Sequence, residues 1–158
     1  MYSRVYIEIT NICNRSCSFC PGTTRPLRRM SLSEFDTVTD RLQGVTEYLY
    51  YHVMGEPLTH PDLPDFIRLA KSKGFKSAVT TNGTLLKSKQ EMLLSSPALH
   101  KINISLHAFE ANDLAVSFEE YLADCFAFGK ASAGKKLVVY RLWNQGGEDA
   151  QNQVILEN

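Results

Sequence analysis

Residues 4–20 read Arg-Val-Tyr-Ile-Glu-Ile-Thr-Asn-Ile-Cys-Asn-Arg-Ser-Cys-Ser-Phe-Cys, a strand-like run that leads straight into three thiols. Cys13, Cys17 and Cys20 are separated by gaps of three and two residues. A loop this tight can hold three irons of a cubane cluster and leave the fourth iron open, as catalytic metal sites keep one position open. The spacing therefore predicts a catalytic iron–sulfur site at the end of a first strand.

Zinc or a disulfide could also use clustered thiols. Structural zinc needs four closed ligands, usually in two short-gap pairs, and no second pair follows, because Cys125 is the only other cysteine. Four cysteines are too few for a disulfide scaffold, and three of them lie too close together to pair comfortably. Free thiols indicate a reducing compartment, and we expect the cytoplasm.

Length and composition indicate an ordinary globular protein. The chain has 158 residues, which fits a single domain over residues 1–158, with 44% hydrophobic and 22% charged residues. The formal net charge is zero, so we expect no nucleic-acid partner. No stretch approaches the run of about eighteen apolar residues that a membrane span needs, and we expect no membrane association.

Strand and helix signals alternate along the chain. Ser31 and Glu34, and again Ser117 and Glu120, have the spacing of a capping box and predict two helix starts. Strands separated by single helices indicate βαβ units and a parallel sheet. Five such units predict the α/β class, as either an open curved barrel or a flat doubly wound sheet. The predicted strands are Arg4–Thr10, Tyr48–Met54, Ser77–Thr81, Lys101–Leu106 and Leu137–Leu142.

Polar motifs follow four of these strands. The cysteine loop follows the first, Gly55-Glu56-Pro57 the second and Asn82-Gly83 the third, while Ser105 and His107 end the fourth. In both candidate architectures, ligands bind beyond the carboxyl ends of parallel strands. We therefore expect these motifs to converge on one site.

These motifs in this order resemble the radical S-adenosylmethionine (radical SAM) superfamily. The matching features are the cysteine trio, Gly55-Glu56-Pro57, Thr80–Gly83 and Ile104–His107, which lie within residues 4–143. The resemblance implies a parallel-stranded partial (β/α) barrel with about five βα units visible. Residues 144–158 would be a tail or the start of a further unit.

The resemblance also implies two cofactors. Cys13, Cys17 and Cys20 would ligate three irons of a 4Fe–4S cluster, and S-adenosylmethionine would chelate the fourth iron through its amino and carboxylate groups. One-electron reduction would cleave S-adenosylmethionine to a 5′-deoxyadenosyl radical, which abstracts hydrogen from a substrate. The electron would come from an external flavodoxin- or ferredoxin-like reductant.

Further residues are implied to contact S-adenosylmethionine. Phe19 would lie near the adenine, and Gly55-Glu56-Pro57 would meet the methionine amino group. Asn82 and Ser105 are candidates for the methionine carboxylate and the ribose hydroxyls, and His107 is a candidate for the ribose or the substrate. By contrast, we expect His52, His60 and His100 to be ordinary core or surface histidines.

The function implied is a radical SAM enzyme or its catalytic core, acting on an unknown small molecule, peptide or protein. The family core usually has six βα units, and five are visible in this sequence. An open sheet edge would favour oligomerisation. The alternative is a truncated, catalytically incomplete domain that binds a cluster or zinc and interacts with a partner.

Overall fold

The computed structural model describes residues 2–112, 116–142 and 151–157. Within these ranges five strands form one parallel sheet, in the order β1-β2-β3-β4-β5. The strands are β1 (Val5–Tyr6), β2 (Tyr48–Tyr51), β3 (Lys76–Thr81), β4 (Leu99–Ser105) and β5 (Leu137–Arg141).

The strand order decides between the two candidate architectures. A doubly wound sheet reverses its strand order part-way, whereas this sheet runs sequentially from end to end. Because parallel crossovers have one hand, a sequential order places the connecting helices on the same face. The predicted α/β partial barrel is confirmed. The described helices are α1 (Leu32–Leu42), α2 (Leu63–Ser72), α3 (Leu86–Ser95), α4 (Phe118–Ser132) and α5 (Asn152–Glu157).

The hydrophobic core lies between the sheet and its helices. Alternate strand residues such as Leu49, Val79 and Ile102 are fully buried against helix side chains such as Phe66 and Phe128. The other face of the sheet carries more polar side chains, including Thr80 and Asn103, whose side chains are hydrogen-bonded at 3.2 Å. Burial of the apolar strand residues against the helices stabilises the sheet. The more polar face remains available for a ligand site.

The first strand is shorter than predicted. Only Val5 and Tyr6 pair with β2, although Arg4–Thr10 alternates like a strand throughout. The Ile7 N–H still donates to the Tyr50 carbonyl at 2.9 Å, and further along Thr10 instead forms an antiparallel bridge with Arg29. The second strand also ends earlier than predicted. The N–H of His52 donates to the carbonyl of Tyr50 in the same strand.

Both predicted helix starts are present. Ser31 and Glu34 form the full reciprocal capping box at α1, whereas Ser117 caps α4 by accepting the N–H of Glu120. The Ser31 N–H and the Arg28 guanidinium hold the pKa of the Glu34 carboxyl at about 2. The ionised form of Glu34 is therefore the form that the α1 terminus favours.

The capping box predicts a pH dependence. Because the Glu34 pKa is about 2 in the fold and 4.5 ordinarily, its ionised carboxyl stabilises the fold above pH 4.5. That contribution is lost as pH falls toward 2. We expect Glu34→Gln to lower the Tm at pH 7 and to converge with the native protein near pH 2. A Tm difference that stays constant across this range would contradict the assignment.

The predicted tail lies partly outside the described residues, which leave out 143–150 and 158. Within 151–157, helix α5 buries Ile155, and the Gln151 N–H donates to the Glu110 carboxylate at 2.6 Å. None of the helices in the described ranges is long and apolar enough to cross a membrane.

Candidate functional site

A cavity of about 780 Å³ lies beyond the carboxyl ends of the strands, on the side where the polar motifs were predicted to meet. Nine of the ten predicted site residues line it. Pro57 is the exception: it is buried and begins a short 3₁₀ helix, Pro57–Thr59. The nine are Cys13, Cys17, Phe19, Cys20, Gly55, Glu56, Asn82, Ser105 and His107.

The cysteine loop is tied down by contacts from distant parts of the chain. The amide of Asn11, just before the loop, clamps the segment that follows it, donating to the Pro26 carbonyl at 2.9 Å and accepting the Arg28 N–H at 2.7 Å. Within the loop, Ser16 N–H donates to the Asn112 side-chain oxygen at 3.0 Å, and Ser18 N–H donates to a carbonyl beside Asn112 at 3.2 Å. These hydrogen bonds orient the loop toward the cavity.

Each loop thiol has an N–H group directed at its sulfur. The Asn112 amide lies 3.1 Å from Cys17 Sγ, and the Gly22 N–H lies 3.4 Å from Cys20 Sγ. Cys13 Sγ has a longer contact, 4.0 Å, with the Asn82 amide. N–H contacts to ligating sulfurs are among the interactions that tune an iron–sulfur cluster.

The electrostatics of Cys13 oppose thiolate formation in the protein alone. Burial raises the pKa of its thiol, the Arg15 N–H lowers it, and the negative charge of Glu56 raises it further. A bound cation would offset both opposing effects, since coordinated thiols are deprotonated.

The donor set fits a thiolate-ligated cluster. Three thiols border one cavity, while Cys125 is buried on α4, where burial raises its pKa to about 12. In the described ranges, no three His, Cys, Asp or Glu side chains are close enough to hold a single metal ion.

Gly55 allows two chain segments to cross beneath the cavity. Its φ is +75°, and a Cβ there would lie 2.5 Å from the Thr10 carbonyl oxygen and 2.8 Å from that of Ile12. The next residue, Glu56, donates its N–H to the same Ile12 carbonyl at 2.9 Å. A glycine is required because both the backbone conformation and the space exclude a side chain.

The Glu56 side chain connects two backbone segments at the cavity wall. It is 2% exposed, and its carboxylate accepts the N–H of Leu58 at 3.0 Å and of Asn82 at 2.7 Å. Burial raises the pKa of this carboxyl, and the same two N–H donors oppose the rise. Its first task is therefore structural: it holds the end of β3 against the 3₁₀ helix.

Asn82 joins the third strand to the cysteine loop. Its side-chain nitrogen donates to Asn14 Oδ1 at 2.9 Å, and its side-chain oxygen accepts from the N–H and hydroxyl of Thr84 at 3.0 and 2.7 Å. Its backbone carbonyl accepts the Tyr121 hydroxyl at 2.8 Å. The side chain is thus already positioned by protein contacts at the cavity wall.

His107, just after the fourth strand, pairs with Phe19 of the cysteine loop at the cavity. The rings of His107 and Phe19 lie 5.1 Å apart, and His107 Nδ1 lies 3.3 Å from the Arg141 carbonyl oxygen. Ser105 precedes the short 3₁₀ helix that carries His107. Phe19 and His107 therefore form one continuous patch of the cavity lining.

The sequence analysis missed several residues of this site. Arg15, His52 and Arg141 line the cavity, and Asn112 contacts Cys17. His52 was expected to be ordinary, yet it follows β2 on the polar face of the sheet. Asn112 belongs to no motif, and its contact with Cys17 joins residues 95 positions apart. Arginines at the carboxyl ends of predicted strands were the one signal that could have identified Arg141.

Comparison with known proteins gives a consistent result. The model of the Radical SAM superfamily matches residues 7–124. The chain is 29% identical over 141 residues to the tungsten-containing aldehyde ferredoxin oxidoreductase cofactor-modifying protein of Pyrococcus furiosus, covering 87% of this chain and 38% of that protein. It is 31% identical over 110 residues to the GTP 3′,8-cyclase of Chlorobaculum tepidum, covering 67% and 33%.

The fold comparison agrees. The structure of Streptococcus suis SuiB bound to S-adenosylmethionine matches with a TM-score of 0.71 at 20% identity, covering 98% of this chain and 36% of that one. The chain thus spans about a third of the length of each of these three proteins. Since the family model covers most of the sequence, the chain belongs to the radical SAM superfamily.

Proposed function

We propose that this chain is a radical SAM catalytic core, with residues 1–158 acting as one domain that binds a 4Fe–4S cluster and S-adenosylmethionine. The observation that carries the proposal is the convergence of three N–H-contacted thiols with Asn82, Ser105 and His107 on one cavity. Cys13, Cys17 and Cys20 would be the cluster ligands. The membership of the chain in the superfamily supports this role for the thiols.

Cys13, Cys17 and Cys20 would hold the cluster, which would supply the one electron needed for cleavage of S-adenosylmethionine to methionine and the 5′-deoxyadenosyl radical used in hydrogen abstraction. The protein's own part is to bind and to orient the two cofactors. Phe19 and His107 offer an aromatic patch for the adenosyl group, and Asn82 and Ser105 offer polar groups for the methionine carboxylate or the ribose. Backbone acceptors around Gly55 would meet the ammonium group.

The partners follow from the same chemistry. An external one-electron reductant of the flavodoxin or ferredoxin kind would supply the electron. One matching structure is described as SuiB bound to its precursor peptide SuiA, so a peptide belongs among the substrate classes to be tested here. We place the reaction in the cytoplasm because the proposed thiolates and cluster require reducing conditions.

Spectroscopy of the reconstituted protein tests this proposal. The protein is loaded anaerobically with iron and sulfide, reduced, and examined by electron paramagnetic resonance with and without S-adenosylmethionine. We expect about four irons per chain and a cluster signal that changes when S-adenosylmethionine binds. Zinc in place of iron, or a signal that S-adenosylmethionine leaves unchanged, would overturn the proposal.

Asn112 gives a separate prediction. Its amide is held in one orientation, because Nδ2 donates to the Ala108 carbonyl at 2.7 Å and to Cys17 Sγ at 3.1 Å while Oδ1 accepts the Ser16 N–H at 3.0 Å. An N–H bond to a ligating sulfur stabilises the more negative, reduced cluster.

We therefore expect Asn112→Ala to shift the cluster midpoint potential to a more negative value, measured by redox titration of the loaded protein. Gln153→Ala serves as the control, since the Gln153 amide is exposed on α5 and bonds to Glu157, away from the sulfurs. Equal potentials in the native protein and Asn112→Ala would show that this contact does not influence the cluster.

A further inference from the structure

Tyr121 places a buried hydroxyl directly behind the cavity wall. It lies in the first turn of α4 and is 4% exposed. Its hydroxyl donates to the backbone carbonyl of Asn82 at 2.8 Å, and the Ser105 carbonyl oxygen lies 3.5 Å away. Asn82 follows β3 and Ser105 ends β4, so one side chain from a helix reaches the carboxyl ends of two neighbouring strands. Tyr121 itself lies outside the described lining of the cavity.

The Tyr121 hydroxyl acts as a hydrogen-bond donor to Asn82. Burial raises the pKa of Tyr121 well above its ordinary value, so the hydroxyl keeps its proton. A phenolic hydroxyl has one proton to donate, and the shorter of the two contacts receives it. The ring packs against Phe109, with 5.4 Å between the ring centroids. A phenylalanine at this position would keep the ring contact and lose the hydrogen bond.

Gly83 makes room for this hydroxyl. Its φ is +83°, and a Cβ there would lie 2.8 Å from Tyr121 Oη and 3.1 Å from Cys125 Sγ. Any other residue would be strained in this conformation and would press against the hydroxyl. The pair Asn82-Gly83 is typical of a turn, and in this fold its glycine also admits the Tyr121 contact.

The backbone of Asn82 is held on both sides. Its N–H donates to the Glu56 carboxylate at 2.7 Å, and its carbonyl accepts the Tyr121 hydroxyl. Between these two contacts, the side-chain amide is directed along the cavity wall, 4.0 Å from Cys13 Sγ. Because Gly83 is conformationally permissive, the peptide group between residues 82 and 83 could rotate if the hydroxyl were absent. The hydroxyl therefore restricts the direction of the Asn82 side chain.

We propose that Tyr121 is a positioning residue for the S-adenosylmethionine site. Its hydroxyl fixes the peptide group after Asn82 and so holds the Asn82 amide at the cavity wall. A side chain that faces a ligand binds it best when its neighbours hold it in one orientation. The proposal rests on the proposed function, because it concerns a side chain offered to S-adenosylmethionine. Tyr121 acts through Asn82 and does not contact the cofactor.

Binding of S-adenosylmethionine to iron-loaded, unreduced protein tests this role by isothermal titration calorimetry. Without reductant there is no cleavage, so affinity is measured apart from activity. We expect Tyr121→Phe to raise the Kd fivefold or more at native iron content. Tyr51→Phe is the matched control, because it removes a buried hydroxyl contact of the same length, 2.8 Å to Ser77, outside the described cavity lining. Both variants should lower the Tm by a similar amount, while Tyr51→Phe keeps the native Kd.

Asn82→Ala shows whether Tyr121 acts through the Asn82 side chain. This variant removes the amide and keeps the backbone carbonyl that accepts the hydroxyl. We expect Asn82→Ala to raise the Kd by itself. Adding Tyr121→Phe in this background should lower the Tm as it does in the native protein, with no further rise in the Kd.

Three results would overturn the positioning role. They are a native Kd in Tyr121→Phe, an equal rise in Kd in Tyr51→Phe, and a rise in Kd from Tyr121→Phe that is the same with and without the Asn82 amide. Each of them leaves the proposed function intact, because the native protein still binds S-adenosylmethionine. If the native protein holds no cluster or does not bind S-adenosylmethionine, the proposed function fails, and the positioning role fails with it.

Discussion

Replacing Cys17 with alanine should abolish cluster binding and, with it, cleavage of S-adenosylmethionine. Two thiols cannot hold a cubane that is designed to have three protein ligands, so we expect iron to fall from about four per chain to below about one. The fold should survive, because Cys17 is only partly buried and its backbone turn with Cys20 does not need the side chain. Iron analysis and the unfolding midpoint are measured on the same sample.

Cys125→Ala is the matched control for this experiment. Cys125 is buried on α4 and would contact any side chain placed at Gly83, far in sequence from the cysteine loop. Its loss should cost about 1 kcal/mol of stability by leaving a small void, while iron content stays at the native level. Equal iron loss in the two variants would contradict the assignment of the trio as the ligand set.

Gly55→Ala should have the largest effect on stability. At φ +75° an added Cβ would lie within 3 Å of atoms of three backbone carbonyl groups, and backbone atoms cannot move aside as a flexible side chain can. Left-handed strain and overpacking together should cost about 3 kcal/mol or more. The measurement is the free energy of unfolding by urea, together with the iron content of the loaded protein.

Gly44→Ala separates the two causes of this loss. Gly44 has φ +74° but has nothing within 4 Å of an added Cβ, so its substitution should cost only the conformational strain, about 1 kcal/mol. If both alanines cost the same, the crossing of chain segments at Gly55 is not what makes its glycine necessary.

Local sequence patterns predicted most of the fold. The capping box at Ser31 and Glu34 predicted the start of α1, because both partners lie within one turn of each other. The alternation of strands and helices predicted the parallel sheet. The choice between a barrel and a doubly wound sheet depended on the pairing of strands, which no local pattern contains. The sequential strand order of the structure made that choice.

Site residues that belong to a sequence motif could be predicted. Site residues that are positioned only by long-range contacts could not. The cysteine spacing located three thiols, and the carboxyl-end rule located Asn82 and Ser105 at the same cavity. Asn112 reaches Cys17 only after the loop beyond β4 folds back over the cysteine loop. Glu56 was expected to face the cofactor, and the structure shows its carboxylate also supporting two backbone segments.

The most direct test of the central claim is formation of 5′-deoxyadenosine by the reduced, iron-loaded native protein supplied with S-adenosylmethionine. The product is measured by chromatography and mass spectrometry, with unreduced protein as the blank. We expect 5′-deoxyadenosine and methionine in equal amounts, dependent on reductant and on Cys17. An iron-loaded protein that binds S-adenosylmethionine and forms no 5′-deoxyadenosine after reduction would contradict the account.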